Sequence, residues 1–387
     1  MKDVRTWIEI DAKALRRNAK QFLGLLGSQT RLMAVIKSNA YGHGLMQVAE
    51  SLAAISEFGK QGWFGIDSIT EALRLRKDGV SNPILVLGAT MPARINEAAA
   101  QKISVSVSNF DMLKRIGAAQ HRPQIHIKCD TGMHRQGFFV SEIPKVIKAL
   151  QQYTFSPEGL YTHFAAAKDP LYPTYTHEQL SAFNDISARF VRAGFKNFLR
   201  HSAASGGAIL FPETHADLVR VGMGLYGYWP SMESKIALGR LNLDNRDYRG
   251  STSIVLKPVL TWKTIVSEIK EIPAGAFVGY DCTEKATKKT KIAILPIGYW
   301  HGYDRGLSSI GEVLIRGKRA KVLGRVSMDM LIVDVSNIPR IKMWDEVALI
   351  GTQGKEMIGA DELALKIGTT VYEFLTRINP LIRRIVV

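Results

Sequence analysis

Through its first 225 residues this chain repeats one theme: a short β-type run, then a segment of helical period. The runs are LMAVIK (32–37), GWFGI (62–66), PILVLG (83–88), ISVSV (103–107), QIHIKC (124–129), GLYTHF (159–164), NFLRH (197–201) and DLVRVG (217–222). Between them, ITEALRLRKDG and HEQLSAFNDISARFVRAG put apolar residues on one helical face and end on glycine. Eight strands alternating with helices predict an α/β fold closed into a parallel (β/α)8 barrel of the TIM type. The competing open, doubly wound sheet lacks its glycine-rich dinucleotide fingerprint after the first strand.

The character changes beyond Tyr228. WPSMESKIALGRLNLDNRDYRGS is polar and irregular and reads as a linker. The remainder of the chain is mainly β: SIVLKPVLTWKTIVSEIKEI, KIAILPIGY, GEVLIRGKRAKVLGRVSMDMLIVDV and DEVALIG alternate and carry turn residues, before the helical ADELALKIG and TVYEFLTRI. A chain of 387 residues is also longer than one core usually serves. Two domains are expected, a barrel over 1–240 and a β-rich C-terminal domain over 241–387, with the opening WIEID a candidate strand for the second.

Composition narrows the function classes. At 46% hydrophobic and 22% charged the chain is of soluble globular type. No window approaches the roughly 18 apolar residues of a membrane span, and the amino terminus interleaves charge with apolar residues, unlike an export signal. Two cysteines, Cys129 and Cys282, are too few to staple so long a chain. A cytoplasmic protein without a membrane partner is expected. The net charge of +16 suggests an anionic partner, yet the densest cluster, Lys285, Lys288, Lys289 and Lys291, falls in a predicted turn. With no helix-turn-helix, zinc-finger or RNA-recognition pattern, no nucleic acid is expected. No metal is expected either.

Working residues of such a barrel sit at the carboxyl ends of its strands. Lys37 ends the first run, in AVIKSNAYGHG; Arg135 follows the fifth, His163 ends the sixth, Ser205 follows the seventh and Arg220 ends the eighth. Singly each has a plain explanation: a strand-end lysine reaching water, a buried histidine, a helix cap, a surface ion pair. A lysine between apolar residues can instead lose its proton and become a nucleophile toward carbonyl carbon. The small residues of SAASGGA and VGMG, including Gly222 and Met223, let backbone N–H groups approach an anion. An amine, a phosphate cradle and two guanidinium groups together point to a phosphorylated aldehyde, pyridoxal 5'-phosphate.

On AVIKSNAYGHG, IKCDTGMHRQGF, GLYTHFA, DLVRVGMGLYG, VGYDCTE, LPIGY and GRVSMDM, in this order and spacing, the chain resembles the alanine racemase family over nearly its whole length. The resemblance implies interconversion of L- and D-alanine by two bases on a pyridoxal 5'-phosphate enzyme, supplying D-alanine for peptidoglycan. It implies that Lys37 carries the cofactor and exchanges the proton of D-alanine, while Tyr280, from the other subunit of a homodimer, exchanges that of L-alanine. His163 would contact the tyrosine and Arg220, and Arg220 the pyridine nitrogen. Tyr41, Ser205 and the backbone of Gly222 and Met223 would hold the phosphate. Arg135 would reach the cofactor phenolate oxygen and the substrate carboxylate; Tyr299, Met328 and Asp329, from the partner subunit, would line and narrow the entrance. Lys128 matches a lysine that some members carry carbamylated. One departure stands out: Pro380 replaces a tyrosine that some members add to the phosphate shell. A serine or broad-specificity racemase, a non-catalytic carrier of the cofactor, and a barrel decarboxylase using Cys282 stay open as alternatives.

Overall fold

The chain, seen in a computed structural model that describes residues 4–244 and 254–387, divides into two units. The larger comprises Lys13–Ser38 and Val48–Lys257; the smaller comprises Met1–Ala12, Asn39–Gln47 and Pro258–Val387.

Eight parallel strands organise the larger unit: Arg31–Val35, Trp63–Ile66, Ile84–Val86, Ser104–Val107, Ile125–Asp130, Gly159–Tyr161, Leu199–His201 and Leu218–Val221. Each overlaps one of the predicted runs, with Arg31 and Asp130 each one residue outside. They pair in sequence order, and the eighth returns to the first with Leu218 opposite Arg31 and Val221 opposite Ala34. Between the seventh and eighth the ring closes through single bonds, Asp217 N–H to the Arg200 carbonyl (3.0 Å) and Arg220 N–H to that of Ala203 (3.2 Å). Most of these strands are buried along their whole length, as expected where helices cover the outside and side chains fill the inside. Met33, Trp63, Leu85 and Leu218, with Leu87 and Leu199, form one apolar cluster in this unit. Helix starts follow local chemistry: Asn109 Oδ1 accepts the Met112 N–H (2.9 Å) to cap Phe110–Ala118, and Pro173 opens Pro173–Arg192 ahead of the predicted HEQL.

Three local readings need correction. Lys37 does not end its strand: the strand stops at Val35, and Lys37 opens a turn. His163 lies two residues past Gly159–Tyr161, because pairing with the neighbouring strand stops at Tyr161. Part of the predicted linker is instead a helix, Met232–Asp244, whose Leu, Ala, Lys and Arg favour that state whatever their polarity. The remainder of that segment, 245–251, lies outside the described residues.

In the smaller unit the opening strand, Thr6–Ile10, runs antiparallel to Leu260–Ile265, Thr6 opposite Thr264 and Ile10 opposite Leu260. The sheet continues in the order Lys318–Lys321, Glu312–Ile315, Glu346–Gln353, Leu260–Ile265, Thr6–Ile10, Arg383–Val386. Leu260–Ile265 alternates buried and half-buried positions, the period of a strand with one covered face. A second sheet joins Glu268–Ile272, Thr290–Leu295 and Leu331–Asp334, and Val278, Ile292, Ile294 and Leu323 form a core cluster.

Candidate active site

Lys37 reaches into water with 38% of its side chain exposed, and its Nζ lies 3.6 Å from the Asp67 carboxylate just past the second strand. The apolar enclosure expected from its sequence neighbours is absent; a carboxylate holds the ammonium instead. The chain then winds the wrong way. Ser38, Asn39, Ala40 and Tyr41 all have φ of 53–55°, a left-handed turn that disfavours L-residues by about 1–2 kcal/mol each. The Asn39 carbonyl accepts N–H bonds from Gly42 (3.1 Å) and Gly44 (2.9 Å), and Asn39 Oδ1 accepts from Leu45 N–H (2.9 Å). The His43 Nδ1–H donates to the carbonyls of Ala40 (3.0 Å) and Tyr41 (3.1 Å), and Arg384 donates twice to the Gly42 carbonyl (3.1 and 3.0 Å). Burial pushes the His43 imidazole down to about 4. Within the smaller unit, the Tyr41 ring meets Tyr372 edge-on at 6.1 Å.

Arg220 is 4% exposed, and every partner it has is neutral. Its Nη1 donates to the His201 carbonyl (2.9 Å) and to His201 Nδ1 (2.8 Å). Its Nη2 donates to the carbonyls of Thr162 (2.7 Å) and Ser202 (2.8 Å), with His163 Nδ1 at 3.2 Å. Both Nη2 hydrogens go to those carbonyls, so His163 Nδ1 at most shares one of them; because arginine only donates, a proton on Nδ1 would face a donor, so the neutral ring carries its proton on Nε2. His163 is held neutral by burial first and then by Arg220, Arg135, Lys128 and Lys37, which together push it down to about 3. Arg220 itself is lowered by burial to about 10 and remains a cation at neutral pH.

Lys128, buried in the fifth strand, completes a cluster of positive charge. Burial, then Arg135 and Arg220, push its amine down to about 8. The faces of one ring serve two cations here: Lys128 Nζ and Arg220 Cζ each lie 5.4 Å from the Tyr161 centroid. Tyr161 is held in turn by its O–H to Ser106 Oγ (2.7 Å). Arg135 is exposed, in a loop shaped by Asp130, whose Oδ1 accepts the Gly132 and His134 N–H groups at 3.0 Å each.

Ser205, buried, opens the short helix Ser205–Leu210, and its Oγ accepts the Gly222 N–H (3.1 Å). Met223 follows in a tight turn, also buried. Two donors in this set have no acceptor among the described residues: the Ser205 hydroxyl proton and the Arg220 Nε–H. They fit a ligand with anionic oxygens and a ring nitrogen lone pair, and Lys37 fits its aldehyde. A phosphorylated pyridine aldehyde has those groups.

The remaining predicted residues sit in the smaller unit. Tyr280 is 68% exposed, on a turn where Gly279, Asp281 and Cys282 have φ of 76°, 61° and 51° and Asp281 pairs with Arg325 at 2.7 Å. Tyr299 and Met328, both exposed, lie on abutting loops: the Tyr299 N–H bonds the Ser327 carbonyl and the Trp300 N–H that of Met328, 3.0 Å each. A Cβ on Gly298 would fall 2.1 Å from the Ser327 carbonyl, so only glycine permits this approach. Asp329 is exposed beside Met328, and Pro380 stands in the turn before the last strand, where it offers no hydroxyl. Sequence reasoning missed His126, His201 and Asp67. A signal existed for the first: in QIHIKC, His126 and Lys128 are two apart and therefore share a strand face.

Among the described residues no helix is long and apolar enough to cross a membrane, and no three His, Cys, Asp or Glu side chains could hold a metal ion together. Family models for the alanine racemase N-terminal domain and C-terminal domain match residues 10–230 and 259–386. The chain is similar to the alanine racemase of Leptospira interrogans serovar copenhageni, 35% identical over 392 residues that cover 100% of this chain and 97% of the relative. It is 37% identical to that of Desulforamulus reducens over 98% of each chain. Among solved structures, the alanine racemase of Clostridium difficile 630 superposes with a TM-score of 0.88 at 28% identity, covering 99% of this chain and 96% of that one. That of Bacillus anthracis with bound L-Ala-P gives 0.87 at 30%, covering 99% and 95%. With both domain models matched and relatives aligned from end to end, the chain belongs to the alanine racemase family.

Proposed function

We propose that this chain interconverts L- and D-alanine as a homodimer, with pyridoxal 5'-phosphate as cofactor and with Lys37 and Tyr280 as the two groups that move the α-proton. The observation that carries the reading is the donor set around Arg220, on a chain aligned end to end with alanine racemases. The cofactor supplies an electrophilic carbon for the substrate amine and an electron sink for the charge left at Cα. Everything else is the work of side chains.

Inversion needs a proton taken from one face and a proton delivered to the other, which one amine cannot easily do. Lys37 serves the D-alanine face and Tyr280, from the partner subunit, the L-alanine face. A phenol with an ordinary pKa of about 10 is a weak base at neutral pH and needs a donor to stabilise its ionised form. His163 has one available: its Nε2–H, a tautomer forced by Arg220. Arg220 would offer its Nε–H to the ring nitrogen, and a cation there would keep that nitrogen unprotonated. By restraining that electron sink, Arg220 would favour simple return of the proton over transamination or decarboxylation. Ser205, Tyr41 and the backbone of Met223 would bind phosphate, Gly222 acting through its N–H on Ser205 Oγ, and Arg135, oriented by Lys128, would bind the substrate carboxylate. Tyr299, Met328 and Asp329 of the partner subunit would narrow the entrance toward a methyl side chain. The D-alanine made would serve peptidoglycan synthesis in the cytoplasm, where two free cysteines, Cys129 and Cys282, remain reduced.

Subunit mixing tests the arrangement. Lys37→Ala and Tyr280→Ala dimers are each expected to lose nearly all racemisation, read by chiral chromatography, and Lys37→Ala also its visible absorption. Hybrids made from equal amounts regain one intact site per mixed dimer, about one quarter of wild-type activity for statistical exchange. Verified hybrids that stay inactive would refute the shared site.

A further inference from the structure

A line of hydrogen bonds runs along the inside of the barrel from its amino-terminal rim to Arg220. Glu158 begins it, one residue before the sixth strand, with 28% of its side chain exposed. Its Oε2 accepts from Ser104 Oγ and from His126 Nε2 (3.2 Å). His126 Nδ1 lies 2.8 Å from His201 Nε2, and His201 Nδ1 lies 2.8 Å from Arg220 Nη1.

Only one placement of protons satisfies all of these contacts. Arg220 donates, so His201 Nδ1 is bare and the proton of that ring sits on Nε2. That proton goes to His126 Nδ1, so His126 carries its own on Nε2 and gives it to the carboxylate. A second proton on either ring would set two donors face to face. Both rings are fully buried and clamped: Tyr161 stacks on His201 at 4.7 Å and 4°, and Trp63 meets His126 edge-on at 5.4 Å. Among the described residues Arg220 thus has no carboxylate in contact, and the negative charge of Glu158 reaches it through two imidazole dipoles aligned head to tail.

We propose that Glu158 and His126 are positioning residues for Arg220: they fix the tautomer of His201 so that its lone pair holds the guanidinium with Nε–H left for the ligand. Without an acceptor at position 158, His126 is free to move its proton to Nδ1, which would confront the His201 Nε2–H and release Arg220. The kinetic consequence rests on the function proposed above; the tautomers do not.

The test uses cofactor-loaded protein labelled with 15N-histidine, the rings assigned by difference against His126→Asn. In the wild type, His126 and His201 should each show a protonated Nε2 and a bare Nδ1. Glu158→Leu should give mixed tautomers and lower kcat for alanine about tenfold while KM moves less than about twofold. Glu158→Gln, whose amide oxygen can take both hydrogens that Oε2 takes, should restore the tautomers and kcat to within about twofold. A wild-type His201 protonated on Nδ1 overturns the proposal even if Glu158→Leu does not fold. So does a folded Glu158→Leu with wild-type tautomers and kcat, or a Glu158→Gln as slow as Glu158→Leu. A wild type that holds these tautomers and does not racemise alanine would refute the function and leave the relay standing.

Discussion

Lys128→Ala probes a modification that the structure makes chemically accessible. The Lys128 amine shares its surroundings with Arg135, Arg220 and Lys37, and with burial they bring it from 10.5 to about 8. At pH 7 about one such amine in ten is neutral, against about three in ten thousand for an ordinary lysine, a gain of roughly 300-fold. Only the neutral nitrogen attacks carbon dioxide: the ammonium first gives up one proton, an N–C bond forms as one C=O π bond becomes a carboxylate, and a second proton leaves nitrogen, so a cation becomes an anion with two protons released. Four like charges thereby become three cations around one carbamate, an arrangement that holds Arg135 as well as relieving the repulsion. Protein equilibrated with 13C-bicarbonate at pH 7–8 should show one carbamate carbonyl signal per chain, missing from Lys128→Ala. The variant should lose about tenfold in kcat/KM, mostly through KM for alanine, because Arg135 loses its orienting anion. A wild type with no such signal at saturating bicarbonate would exclude the modification, whatever the variant's kinetics.

Two further outcomes concern the loop after Lys37. Gly42→Ala should destabilise the protein by about 3 kcal/mol or more in urea unfolding, because φ is +86° and the new Cβ would fall 2.3 Å from the Leu375 carbonyl; a loss under about 1 kcal/mol would contradict the packing. His43 predicts a pH dependence. Its folded value of about 4 lies below the unfolded 6.5, so the unfolded chain takes up the proton first as pH falls. Its contribution is complete above pH 6.5 and is lost down to pH 4, on the order of 3 kcal/mol in all. Unfolding midpoints of wild type and His43→Asn should converge over that range; parallel curves would count against the assignment.

The barrel could be read from the sequence because its strands are covered on both sides, so LMAVI or PILVLG stands out as an apolar run whatever its neighbours do. Strand ends could not be read as well. Lys37 and His163 lie past theirs, since a strand stops where its hydrogen-bond partners stop, and that depends on a segment some thirty or more residues away. The left-handed turn was hidden for another reason: of Ser38, Asn39, Ala40 and Tyr41 only asparagine is at ease there, and the stabilising groups come from Gly42, Gly44, Leu45 and Arg384. His126 and His201 are 75 positions apart and become partners only when the barrel curls round. A lone histidine in an apolar run is usually a satisfied core residue. Here each satisfies the other.

The charge arrangement at the carboxyl end of the barrel argues for function over stability. Lys37, Arg135 and Arg220 lie close enough to add to the burial that depresses Lys128, and all four cations add to the burial that depresses His163; among the described residues Asp67 and Asp130 stand nearby as counter-charges. A protein selected for stability alone would place a carboxylate on Arg220, since a buried cation held only by neutral acceptors is unfavourable. A carboxylate there would also quench the field that the guanidinium presents to a ligand. Five neutral acceptors fix its geometry and leave its charge intact, while the balancing negative charge stays two imidazoles away at Glu158. The folded chain therefore carries an excess of positive charge there that a bound phosphate and a carboxylate would relieve. Binding of those anions and stability of the fold are linked through the same four side chains.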